Sequence, residues 1–151
     1  LAAAGQIFGG MIITDADAHG GNISLEIEEN HVSYSFSHEG GVPRIAMSIR
    51  TSSNLGEENT ENSVVKKLGI EQVQEMAAES ERQRIEAVIQ KVQTLYNSDI
   101  FGFGDYIRRT DPSYWKEYGP QWDQIFKNLQ VDVSVKVEIT DTSVAGLRTN
   151  E

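Results

Sequence analysis

The chain contains no cysteine, so a disulfide framework, a thiolate metal site and a cysteine nucleophile are excluded within it. It has no apolar run approaching the roughly 20 residues of a membrane-spanning helix. Positive charge is scarce: 13 Lys and Arg stand against 23 Asp and Glu, for a formal charge of −10 at pH 7. That deficit argues against nucleic acid, where cations must replace the counterions around phosphates. It also argues against unaided binding to an anionic bilayer, which repels an acidic domain. The opening Leu1-Ala2-Ala3-Ala4 lacks the basic start and long apolar stretch of a signal peptide, and a start at Leu instead of Met reads as a fragment or a processed product.

What remains fits a single globular domain. Its 151 residues can bury most of their unfolded surface, and 38% hydrophobic with 24% charged residues is an ordinary globular balance. The domain is taken as residues 1–151, with 1–21 left unassigned and 141–151 a polar tail expected to fray.

Gln6 to Thr14 is an apolar run fit for a first strand, and Thr14 to Gly21 reads as a loop. The period then becomes two. Ile23, Leu25 and Ile27 alternate with polar residues, as do Val32, Tyr34 and Phe36, and Glu29-Asn30 between them suits a tight hairpin. Gly40-Gly41 marks a turn before Ile45, Met47 and Ile49. Alternation gives each run one apolar and one polar face. Thr51 to Ser63 is polar, a loop or a weak strand end.

From about Ile70 to Asn97 the period is helical, with Ile70, Val73, Ala77, Ile85, Val88, Ile89, Val92 and Tyr96 on one face. Such a helix would be about 40 Å long. Its middle (Glu79, Ser80, Glu81, Arg82) is polar, which predicts looser packing there, and Arg82 is placed to pair with Glu79 and Glu86. Most of the aromatic residues come next, between Phe101 and Leu129. Asp111-Pro112 opens a short helix, and Gly119-Pro120 breaks it and starts another. Val131, Val133, Val135, Val137 and Ile139 then alternate with polar residues, a strong strand signal. Strands, then helices, then a strand predict an α+β fold: a largely antiparallel sheet with one long helix and short helices on one face.

Chemistry-bearing patterns are weak. His31 and His38 are seven apart and point to opposite faces of a straight strand, which does not suit a metal. Glu28-Glu29, Glu57-Glu58 and Asp15/Asp17 fall at expected turns and read as solvated acids. Gly102-Phe103-Gly104 comes after a helix, so it is a turn in which glycines permit positive φ and not a dinucleotide loop. Neither Ser48 nor Ser98 sits in a nucleophile elbow. No catalytic, cofactor-binding or metal-ligating residue is nominated. The aromatic stretch has two readings: Trp115, Trp122 and Phe126 plug the core, or some of them stay exposed as partner anchors with Arg108 and Arg109 at the rim.

The run Gln93-Thr94-Leu95-Tyr96-Asn97-Ser98-Asp99-Ile100-Phe101-Gly102-Phe103-Gly104-Asp105-Tyr106-Ile107-Arg108-Arg109, with Trp115, Trp122 and the valine-alternating strand, resembles the signature of Ger(x)C proteins. The resemblance is specific over Ile85 to Ile139 and weaker over Ile23 to Arg50. It implies the third and last domain of a lipoprotein subunit of a spore germinant receptor. Such a subunit is held on the outer face of the spore inner membrane by a lipid anchor outside this chain, beside membrane-embedded A- and B-type subunits. It implies no enzymatic activity; no cofactor is expected, and the charge balance above leaves no nucleic-acid partner. The expected interaction or motif residues are Ser98, Asp99, Ile100, Phe101, Gly102, Phe103, Gly104, Tyr106, Arg108, Arg109, Trp115 and Trp122. Two alternatives stand beside it: an extracytoplasmic glycan-acting hydrolase and a small-ligand binding domain. In a competing account of the motif, Asp99 caps the segment after it, and Phe101 and Phe103 are core.

Overall fold

The structure, a computed structural model, describes residues 11–16, 21–55 and 69–141. Three strands come first: β1 (Met11–Ala16), β2 (Gly21–Ser37) and β3 (Arg44–Leu55). A long helix, α1 (Ile70–Lys91), is extended by a π-helical turn over Val92–Tyr96. Three short helices come next, α2 (Phe103–Thr110), α3 (Pro112–Tyr118) and α4 (Trp122–Asn128), and then β4 (Gln130–Asp141). The sheet order is β1-β2-β3-β4. This is the α+β class expected from the pattern. The first-strand run is realised at Met11–Ala16; its earlier part, the polar segment after Leu55 and the tail after Asp141 lie outside the described residues.

β1 pairs antiparallel with β2. Across the β2–β3 hairpin, Thr51 donates to Asn30 and Asn54 donates to Glu28, so one strand climbs as the other descends. β4 runs in the same direction as its neighbour β3. Arg44 at the start of β3 meets Gln130 and Asp132 at the start of β4, and Ser53 near the end of β3 donates to the carbonyl of Glu138. The last pair is therefore parallel, and a parallel pair needs a crossover such as the helices supply. The sheet remains largely antiparallel.

No hairpin forms at Glu29-Asn30: β2 is one strand of 17 residues. Its inward positions switch from odd (Leu25, Ile27) to even (Asn30, Val32, Tyr34, Phe36). An extra residue accommodated in the strand, a bulge, accounts for the switch and leaves pairing intact on both sides. The polar dipeptide between two alternating runs therefore marks a change of phase and not a reversal.

The chain divides into two compact units. One is built from Val32–Ser48 and Arg84–Ser134, the other from the described parts of Phe8–His31, Ile49–Gln83 and Val135–Glu151. In the second, Leu25, Val73, Ala77, Val137 and Ile139 form a buried cluster. Gln74 on α1 accepts the Ile139 N–H at 2.9 Å, satisfying a donor on the outermost strand that would otherwise invite edge pairing. The polar middle of α1 is not loosely packed throughout: Glu81 follows Ala77 and precedes Ile85 by one turn each, and all three are buried. Thr51 and Ser53 are buried too, so the polar stretch after Arg50 begins as regular strand. In the first unit, Ile45, Met47, Ile85, Ile89, Phe101, Phe103, Ile107 and Phe126 are all within 5% of full burial. Each such side chain contributes roughly 1.5–3 kcal/mol on leaving water.

Candidate functional site

All twelve residues nominated from the sequence belong to the first unit. The chain reaches them through the π-turn. A turn with one extra residue rotates every later side chain out of the helical phase. Val92 stays buried, but Tyr96, which the 3.6-residue spacing assigns to the buried face, is 70% exposed, and Leu95 is also 70% exposed. Asn97 ends the turn in the left-handed conformation (φ 44°), and the Asn97 and Ser98 N–H groups both donate to the Val92 carbonyl. Asn is the residue after Gly that best tolerates that conformation at a helix end.

Asp99 organises the corner between the π-turn and α2. Its carboxylate accepts the Phe103 N–H at 2.9 Å, the Gly104 N–H at 2.7 Å and the Trp122 indole N–H at 3.2 Å. Two of these are donors from the first turn of α2, where backbone N–H groups have no helical partner. The third ties in α4. Gly102, with φ +72°, supplies the left-handed bend before the helix. Gly104 serves differently from the positive-φ role its spacing suggests. It is helical, and a Cβ there would come within 2.8 Å of the Trp122 Nε1. Its job is close approach.

Phe101 and Phe103 stack at 5.4 Å between centroids and are fully buried. They are core, as the competing structural account of the motif has it, and cannot serve as anchors for a partner. Tyr34 on β2 locks onto them. It meets Phe103 edge-on at 5.1 Å, and its hydroxyl donates to the Phe101 carbonyl at 2.9 Å. The Tyr106 hydroxyl donates to the Tyr34 carbonyl at 2.7 Å. Burial, with a smaller push from the Asp99 charge, raises the Tyr34 pKa to about 12. The Gln93 side-chain amide donates to the Phe126 and Leu129 carbonyls at 2.9 Å each, satisfying acceptors at the end of α4. Trp115 and Trp122 are half-buried, 5.6 Å apart, and Trp122 leads on to buried Phe126. As expected, Asp111 caps α3, accepting the Tyr114 N–H at 3.1 Å with Pro112 at the first helical position. It also meets His38 at 3.0 Å.

Arg108 and Arg109 are exposed in the last turn of α2 and both reach back to Asp105, at 2.6 and 3.2 Å. The hydrogen bond from Arg108 leads in holding the Asp105 carboxyl below its usual range. Asp105, Arg109, Tyr106, Gly102, Phe101 and Tyr34 line an open groove of about 460 Å3. Held ionised, Asp105 does not supply the protonated acid that a glycan hydrolase pairs with an ionised carboxylate.

Outside the groove, the approach to the motif is apolar and in solvent: Leu95, Tyr96 and Ile100, the last 38% exposed. Leu95 and Tyr96 are not among the residues nominated from the sequence. Spacing alone had no means of signalling them, because a π-turn carries no residue pattern of its own. Among the described residues, no cluster of acids and histidines is arranged to hold a metal, and no helix is long and apolar enough to cross a membrane.

A meandering sheet, a crossover through one long helix and three short ones, and an Asp-capped aromatic corner define a domain type that is shared with known proteins. The model of the family "Spore germination B3/GerAC like, C-terminal" matches residues 1–143, and the chain belongs to that family. Spore germination protein B3 of Bacillus subtilis (strain 168) is 28% identical over 137 residues, which cover 88% of this chain and 36% of that protein. Spore germination protein YndF of the same organism is 38% identical over 53 residues, 35% of this chain and 13% of that protein. The crystal structure of the GerBC protein superposes with a TM-score of 0.78 at 24% identity, over 92% of this chain and 43% of that one, and shows the same fold. The chain thus spans about a third of the length of B3.

Proposed function

We propose that this chain is the third and last domain of a Ger(x)C-type subunit of a nutrient germinant receptor, and that it acts without catalysis as a protein-interaction module. Family membership supports the setting. In the full-length protein a lipid anchor outside this chain holds the subunit to the outer face of the spore inner membrane, beside the A- and B-type subunits.

One observation carries the interaction role. Leu95 and Tyr96 are each 70% exposed on a backbone whose next residues are fixed by Asp99, Gly102 and Gly104. Adjacent large apolar side chains held in water on a rigid support are what a partner surface uses as anchors. The docking face is the entry to the motif, with Ile100 included, and not the motif's buried phenylalanines. Arg108 and Arg109, whose charge is shared with Asp105, form a polar rim.

A photo-crosslinking residue placed at Tyr96 or Ile100 of the full-length protein in intact spores tests this. Covalent adducts with another receptor subunit are the expected result, with none from Glu86 on α1 as the control position. Adducts with no receptor subunit from either position would remove the docking role while leaving the family assignment intact.

A further inference from the structure

In a chain of net charge −10, one spot on the sheet is cationic. Arg50 on β3 and Lys136 on β4 lie on neighbouring strands of the second unit and open onto one cleft of about 370 Å3. Among the described residues Arg44, Arg82, Arg108 and Arg109 each meet a carboxylate, whereas Arg50 and Lys136, like Lys91, Lys116 and Lys127, meet none; Arg50 and Lys136 differ from those lysines in sharing one cleft. Like charges brought together across adjacent strands oppose folding. The repulsion is relieved if an anion sits between them. The same cleft is lined by Ser52, by His31 and by Glu138. His31 meets Glu29 at 3.1 Å, so the Arg50 and Lys136 charges are offset by Glu138 in the cleft and by Glu29 beside it.

We propose that this cleft is an oxyanion site that takes the phosphate group of a small soluble molecule. The guanidinium fork of Arg50 suits two phosphate oxygens at once, the Lys136 ammonium supplies a compact second charge, and the Ser52 hydroxyl is a further donor. The phosphate belongs to a free molecule and not to a lipid headgroup, because a bilayer carrying many such groups repels a domain of this net charge. Glu138 opposes the ligand, which makes binding weak and gives the site a residue whose removal strengthens it. No part of this rests on the docking role of the motif.

The test is a titration of the chain with inorganic phosphate at constant ionic strength, monitored by amide and side-chain NMR shifts. Saturable shifts are expected at Arg50, Ser52 and Lys136. Arg50→Gln and Lys136→Gln should each weaken binding roughly threefold to tenfold, and Glu138→Gln should tighten it by a similar factor. Phosphatidylglycerol vesicles should leave the chain in the supernatant. The proposal is overturned by an absence of saturable shifts up to about 50 mM phosphate. It is equally overturned by affinity that all three substitutions leave unchanged, or by Arg50-dependent pelleting with the vesicles.

Discussion

Replacing Asp99 with Ala should be among the most damaging single changes in the first unit. The carboxylate accepts three N–H groups, from Phe103, Gly104 and Trp122, at 2.9, 2.7 and 3.2 Å. A hydrogen bond to a charged acceptor is worth about 1.5–3 kcal/mol, and losing a helix cap costs about 0.5–2 kcal/mol. The three bonds share one side chain and do not add, and the site is only half-buried, so the expected loss is about 3 kcal/mol. For a chain of this size that lowers Tm by about 6–12 °C. Asp99→Asn keeps one accepting oxygen but sets an amide NH2 against N–H donors, and should lose about 1–2 kcal/mol. Urea unfolding monitored by tryptophan fluorescence reports directly, since Trp122 is one of the three donors. A loss under about 0.5 kcal/mol for Asp99→Ala, the lower bound for a lost cap, would refute the claim that this carboxylate holds the corner together.

The same packing sets two further outcomes. Gly104→Ala places a methyl group where the Trp122 indole lies, 2.8 Å from Nε1. It should cost about 1–3 kcal/mol and shift the tryptophan emission, whereas Gly→Ala in an unobstructed helix stabilises. Tyr34, with its pKa raised to about 12 by burial and by Asp99, ionises more readily in the unfolded chain, near pH 10. Its contribution is therefore fully present below pH 10 and is lost as pH rises from 10 to 12. The loss should be roughly 1–2 kcal/mol once solvent screening of a half-buried group is allowed for. Equilibrium unfolding at stepped pH should show that extra slope in the parent chain and not in Tyr34→Phe.

Much of this architecture was legible from residue order. The helical period located α1, Asp111-Pro112 located the start of α3, and the valine alternation located β4, because each is a local preference that tertiary packing reinforced. Two features were not legible and a third was left between two readings, for different reasons. The bulge in β2 looks like a turn in one dimension, since a polar pair between alternating runs reads alike whether the strand reverses or shifts phase. The π-turn moved Tyr96 from the buried face to solvent, and the spacing that assigned it assumes 3.6 residues per turn throughout. The phenylalanines of the motif stood both among the interaction or motif residues and, in the competing account, in the core, because composition does not distinguish a buried ring from an exposed one. Their burial depends on Tyr34, which is 67 residues away in sequence from the carbonyl it binds. The roles of Gln93 and Gly104 likewise depend on partners beyond the helix, Phe126 and Leu129 for one and Trp122 for the other.

The separation of a buried scaffold from an exposed docking pair is tested most directly by one variant, Leu95→Ser with Tyr96→Ser, in the full-length protein. Nutrient-triggered germination of the spores should be measured alongside the level of the subunit and the Tm of the isolated chain. Because both side chains are 70% exposed, the level and the Tm should hold while the germination response falls sharply. A normal response at normal subunit level would contradict the account.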